Sequence, residues 1–348
     1  MNVRTVRTAL VVATLALLVL LGGSGAAAGR TSTTQLPRFI WGAYIGDQFT
    51  GEQPPWDWNA VTAFQAKNTG GRHISALHWS VGTPWDHDFN YWRGALEIAR
   101  NAGVISVVDM GTAKVPLRTI TKGTYDTALQ TWATEAAAWG QPLLIRFDFE
   151  MNGRWYSWGT RPSNQNTPAD FVAAWRHVHR IFTTAGATNV LWAWCPNIDP
   201  YHQMTDMAKV YPGNNYVDWT CLDGYNFGKP WAGFTKLYSD SYHRVLQLAP
   251  NKPMLIGEMG STERHGNKAH WIRDMFEALA KHFRHVRGLL WFDVFGPNVP
   301  GHPIDWPVET SKASSAAFKV GIGITLARFC HGLGGNAKAQ CLGTAATP

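Results

Sequence analysis

Residues 143–150 read LLIRFDFE: three apolar residues, then charged and aromatic side chains in alternation, ending on a carboxylate. The run is rich in branched and aromatic residues and bounded by polar segments, as expected of a buried β-strand. It is one of eight such runs. FIWGAYI begins at 39, HISALHW at 73 and VISVVDM at 104, and VLWAW (190), WTCLDGY (219), MLIGE (254) and GLLWF (288) follow. Starts are separated by 29 to 47 residues, enough for a strand, a helix and two loops. Most of the intervening stretches read as helical. The clearest spans Phe171 to Ala185, with Thr167 as N-cap, Pro168 at the first helical position and Asp170 completing a capping box. Others lie near 89–101, 125–139, 235–248 and 267–284, whereas the segment after Asp199 shows no regular helix. Eight strand–helix units in about 300 residues predict an α/β fold, a single (β/α)8 TIM barrel. The open doubly wound sheet shares the alternation, but GxGxxG does not follow the first run.

The 348 residues carry a formal net charge of +7; 45% are hydrophobic, 13% aromatic and only 16% charged, with 18 Trp. Such a chain buries ample apolar surface, so a disordered protein is excluded. Arg4 and Arg7 precede an apolar run from Ala9 to Leu21 and a small-residue stretch ending at Ala28, which reads as a signal peptide over 1–28. The expected catalytic domain spans 29–320, and a Gly-rich C-terminal tail 321–348. An exported chain with four cysteines is expected to form two disulfides, with three connectivities open. Cys195 with Cys221 and Cys330 with Cys341 is the favoured set, because the second pair would close a short loop in the tail. The histidine and cysteine spacings suggest no metal site, and nothing requires a cofactor. Lys and Arg are spread along the chain without a nucleic-acid-binding signature. The expected product is a secreted, extracellular monomer that leaves the membrane once its leader is removed.

In a barrel of this type, chemistry sits at the C-terminal ends of the strands. Two carboxylates occupy such positions after segments that should be buried: Glu150 and Glu258, the latter in KPMLIGEMGS. Glycoside cleavage needs such a pair, one carboxyl to protonate the leaving oxygen and one to attack or to orient water. Trp155, Trp158 and Trp291 lie on or just after strand ends, where flat rings can stack on the apolar faces of sugars.

RFDFEMNGRWYSWG (146–159) resembles the acid/base motif of glycoside hydrolase family 26, a family containing many β-mannanases, and KPMLIGEMGS (252–261) resembles its nucleophile motif. WAWCPN (192–197), YVDWTCLDGYN (216–226), LLWFDV (289–294) and DWPVETS (305–311) are similar to the family's fifth, sixth and eighth strands and final helix. The resemblance implies a (β/α)8 barrel and endo-acting, retaining cleavage of a β-linked polysaccharide. β-1,4-Mannan is the first expectation; β-1,3-xylan and mixed-linkage β-glucan are the alternatives within the family. It implies Glu150 as general acid/base and Glu258 as nucleophile. Tyr225 would hydrogen-bond the nucleophile, Trp291 would lie beneath the sugar at the cleavage point, and Trp155 would shape the nearby subsites. Asn197, Trp158 and His78 complete the substrate-binding candidates, and Arg146 is expected to support the carboxylates. Family members usually carry His immediately before the acid/base, where this chain has Phe149, which can make no polar contact there; the change would alter the sugar preferred at the cleavage point, slow the reaction, or be compensated by another group such as His78 or Asp109. A non-catalytic carbohydrate-binding protein on the same barrel is the alternative of another class.

Overall fold

A computed structural model of the chain describes residues 36–162, 165–299 and 302–344. The signal peptide expected at 1–28 lies outside them. In chain order the elements are β1 (Ile40–Ile45), α1 (Trp58–Asn68), β2 (Ala76–Gly82), α2 (Phe89–Asn101), β3 (Ile105–Met110), α3 (Leu117–Thr121), α4 (Asp126–Trp139), β4 (Leu143–Phe147), α5 (Pro168–Thr184) and β5 (Val190–Trp194). They continue with β6 (Trp219–Asn226), α6 (Phe234–Leu248), β7 (Met254–Ser261), α7 (Lys268–Lys281), β8 (Val286–Asp293), β9 (Phe295–Val299), β10 (His302–Asp305), α8 (Lys312–Phe329) and α9 (Gly335–Cys341). Strands β1 to β8 pair in parallel, each with the next, and β1 closes on β8 with Ile40 opposite Gly288 and Ile45 opposite Asp293. The architecture is the (β/α)8 barrel that the spacing of the strand runs implies.

Each expected helix falls near its place. Thr167 and Asp170 form the reciprocal capping box, with Pro168 opening α5. The connection from β5 to β6 departs from strict alternation. It holds 3-10 turns at Met207–Val210 and Asn214–Tyr216 instead of an α-helix, in a stretch punctuated by Pro196, Pro200, Pro212 and Gly213. DWPVETS is not the final helix; it ends β10, passes through a 3-10 turn at Val308–Thr310, and supplies Ser311 as N-cap of α8.

The expected boundary at residue 320 is also displaced. Helix α8 crosses it without a break and buries Phe318, Ile322 and Leu326, so the tail begins only after Phe329. Beyond it, Cys330 is disulfide-bonded to Cys341 with Cα atoms 5.8 Å apart, and Gly343 accepts a backbone hydrogen bond from His73. Closing an 11-residue separation in this way removes conformational freedom from a stretch with little core of its own.

Candidate active site

Glu150 does not end β4. The strand stops at Phe147, and Glu150 lies in the turn beyond it, with φ of +42° at Asp148 and +54° at Glu150. Non-glycine residues take such values at a cost, and persist when their surroundings hold them. Here Asp148 N–H donates to Met110 O, Glu150 N–H to Cys195 O at 2.7 Å, and Gly153 N–H to Glu150 O. The buried Asp148 carboxyl accepts from the Thr112 amide at 2.8 Å and pairs with its hydroxyl. Disulfide Cys195–Cys221 ties the start of the β5–β6 connection to β6, with Cα atoms 4.3 Å apart. The turn thereby lifts the Glu150 carboxyl above the barrel mouth.

Two donors then fix that carboxyl. The Trp155 indole N–H donates to Oε2 and the Asn197 side-chain amide to Oε1. Asn197 is itself held in a reciprocal pair with Asn152, its N–H donating to Asn152 Oδ1 while Asn152 Nδ2 donates to Asn197 O, both at 2.8 Å. Gly153 is required by close approach: a Cβ there would stand 2.5 Å from the Trp155 ring folded over it. Burial, and secondarily the nearby Glu258, push the Glu150 carboxyl well above the usual carboxylate range, against the opposing effect of its two hydrogen bonds and Arg146.

Glu258 lies within β7, opposite Asp223 on β6. It accepts from Arg146 Nη1 at 2.7 Å and from the Tyr225 hydroxyl. Tyr225 is positioned by Trp306, whose ring stacks on it at 3.9 Å between centroids. Trp306 reaches β7 because residue 260 is glycine; a Cβ there would sit 2.8 Å from its ring.

Arg146, on β4, is wholly buried and serves three carboxylates: Glu258, Asp109 at 3.0 Å, and Asp223. These acids hold the guanidinium fully charged despite its burial. Its Nη1 also stands 2.7 Å from His78 Nε2, and its plane passes over the Phe149 ring at 4.7 Å. His78, Asp109 and Glu258 have ligand-type atoms within 4.8 Å of one another. Arg146 Nη1 is within 3.0 Å of all three, so a side-chain cation already meets their charge. In the other cluster of this kind, Cys195 and Cys221 are consumed by their disulfide.

A cleft of about 590 Å³ opens above these groups, walled by Glu150 and Glu258 together with Trp155, Tyr225 and Asn197. Three expected contacts are not part of it. Trp291 is fully buried, packs edge-on to Trp271 and Phe318, and donates its N–H to Trp306 O at 2.8 Å; it faces the helices. Its neighbour Phe292 faces the cleft. Trp158 is buried beneath Tyr156, its indole donating to Phe149 O. His78 has no exposed side-chain surface and lies one layer below the floor, 2.9 Å from Asp109. Trp306, Phe292, Tyr156 and Phe227 supply the aromatic walls instead. Trp306 was within reach of sequence reading, since it sits inside DWPVETS.

Asp148 gives the site a pH signature. Burial pushes its carboxyl up to about 8, against the Thr112 hydrogen bonds. The unfolded chain ionises it near 4, so the stability it contributes is complete below that value and lost as pH rises toward 8. Asp148→Asn mimics the protonated acid. The variant is expected to match wild type in Tm at about pH 3.5, below the unfolded value, to exceed it slightly at pH 5 and to exceed it most at pH 8.5; equal Tm values across that range would mean that Asp148 is not a buried acid with a raised pKa.

The model for glycosyl hydrolase family 26 matches residues 68–263. The chain is 31% identical over 302 residues to Endoglucanase H of Acetivibrio thermocellus, covering 85% of this chain and 32% of that protein. It is 31% identical over 163 residues to mannan endo-1,4-beta-mannosidase A and B of Caldalkalibacillus mannanilyticus, covering 46% of this chain and 29% of that one. The chain thus spans about a third of the length of these curated relatives. Among solved structures, the catalytic domain of the Bacillus sp. JAMB-750 GH26 endo-beta-1,4-mannanase superposes with a TM-score of 0.58 at 18% identity, covering 84% of this chain and 86% of that one. At that identity the likeness is one of fold.

Proposed function

The chain belongs to glycosyl hydrolase family 26, and on that premise we propose that it is a retaining, endo-acting glycoside hydrolase of a β-linked polysaccharide, with β-1,4-mannan as first substrate. The observation that carries the reading is the pair of carboxyls on one cleft in unlike surroundings. Glu150 is pushed toward its protonated form by burial, whereas Glu258 faces a guanidinium and a tyrosine hydroxyl. Unlike environments on two facing acids are what divides proton donor from nucleophile.

In the first step Glu258 attacks the anomeric carbon as the glycosidic C–O bond breaks, and Glu150 gives its proton to the departing oxygen. In the second, Glu150 takes a proton from water, which displaces Glu258 and releases the sugar with its configuration retained. Arg146 and Tyr225 hold the nucleophile, while Trp155 and Asn197 hold the acid/base, whose two roles need both protonation states. Phe149 puts a ring against Arg146 where the family usually has His. A β-glucan is the second reading, favoured by the similarity to an endoglucanase over most of the chain. The leader-like N-terminus and two disulfides support export.

Proton NMR of early products tests the mechanism. The new reducing end is expected to appear first as the β-anomer and then to mutarotate; an α-anomer appearing first would require inversion and exclude Glu258 as nucleophile.

A further inference from the structure

A second cavity of about 550 Å³ adjoins the cleft and shares Trp155 and Tyr156 with it as walls. Its other lining includes Lys114 on the β3–α3 loop and Arg154 on the loop after β4, and among the described residues no carboxylate lines it. Both cations are exposed, and among the described residues neither enters an ion pair.

The cavity is braced. The Lys114 N–H donates to Ser157 Oγ at 2.8 Å, with Lys114 held at φ +63°. Buried Asn166 accepts from the Leu117 N–H at 2.9 Å and donates to Ser157 O at 2.8 Å, joining the two cation-bearing loops. Trp155 lines the cavity with the two cations; it is 48% exposed while its indole N–H holds Glu150. A sugar stacked on Trp155 would border both the cleft and the cavity that holds Lys114 and Arg154.

We propose that this cavity is a subsite for a carboxylate-bearing sugar of the polysaccharide, an acidic residue or a sugar with an acidic substituent. It rests on the hydrolase reading, which also sets its side. On that reading Glu150 protonates the leaving oxygen, and Trp155, which the two cavities share, is the residue that holds Glu150, so the subsite is assigned to the leaving-group portion of the chain. Neutral sugars need stacking, which Trp155 offers; two uncompensated cations add selectivity for an anion.

The test compares a neutral β-linked polysaccharide with the same polymer after part of its primary hydroxyls have been oxidised to carboxylates, using wild type and the double variant Lys114→Gln/Arg154→Gln. At low salt, wild-type kcat/KM is expected to favour the oxidised polymer about fivefold to tenfold. The preference should shrink as salt shortens the reach of the charges, from about 10 Å at 0.1 M to about 3 Å at 1 M. The double variant should lose the preference and keep its rate on the neutral polymer, and product carboxylates should concentrate near new non-reducing ends. No wild-type preference, an equal loss on both polymers, or carboxylates scattered along the products would overturn the proposal. If wild type cleaves neither polymer, the hydrolase reading fails, and calorimetric binding of the two polymers decides this one separately. Tighter binding of the oxidised polymer that the double variant loses supports it; equal binding refutes it.

Discussion

Glu258→Ala is expected to lower kcat by about 10⁴-fold or more, since with Glu258 as the proposed nucleophile its removal leaves no group to form the glycosyl–enzyme bond and the remaining groups only orient the substrate. Truncation also opens space beneath the anomeric carbon. A small anion such as azide added at high concentration should enter it, attack from the same face, and yield the α-glycosyl azide with partial recovery of rate. Ligand binding should persist, because Trp155, Tyr225 and Trp306 stay in place. If turnover falls less than tenfold, or azide produces a β-glycosyl product, Glu258 is not the attacking group.

The second large effect is one of stability. Arg146 is the only lysine or arginine among the described residues that pairs with Asp109, Asp223 or Glu258, and it is wholly buried among them. Replacing it with Gln leaves buried carboxylates facing one another with no cation between them. Removing one partner of such a group costs about 3–5 kcal/mol, because the remaining charge is uncompensated. Arg146→Lys keeps the charge but loses the fork that reaches several acids at once, so its loss should be intermediate. Denaturant unfolding of the three proteins measures this directly. An Arg146→Gln variant within about 1 kcal/mol of wild type would mean that the carboxylates do not depend on the guanidinium, and the charge balance drawn for the site would be wrong.

Much of this was legible in the sequence, and the illegible parts share a cause. The eight strand runs could be read because each is short, apolar and followed by enough residues for a helix; α5 could be read to its first turn because Thr167, Pro168 and Asp170 announce it. What the sequence does not carry is the phase of a strand buried on both faces. GLLWFD shows no alternation of apolar and polar residues, so nothing in it says that Trp291 faces the helices and Phe292 the cleft. His78 fails for a related reason: it is next to last in the run HISALHW, but β2 continues to Gly82, so its side chain sits below the rim and joins Arg146 and Asp109 beneath the floor. Trp306 comes to the site through a hairpin after the last barrel strand, and its contact with Tyr225 depends on Gly260, a pairing distant in sequence. Glu150 and Glu258 stand out in the sequence because a carboxylate following an apolar run that should be buried is costly enough to need a reason, and the structure brings both to one cleft.

On the proposed function, these two glutamates hydrolyse a β-linked polysaccharide. Reducing-sugar release by the purified protein from mannan, glucomannan, lichenan, β-1,3-xylan and β-1,4-xylan, each run beside Glu258→Ala, tests it most directly. Release is expected from at least one polymer, mannan first, and is expected to disappear in the variant. Polymers that bind and stay intact with wild type, or release that survives in Glu258→Ala, would contradict it.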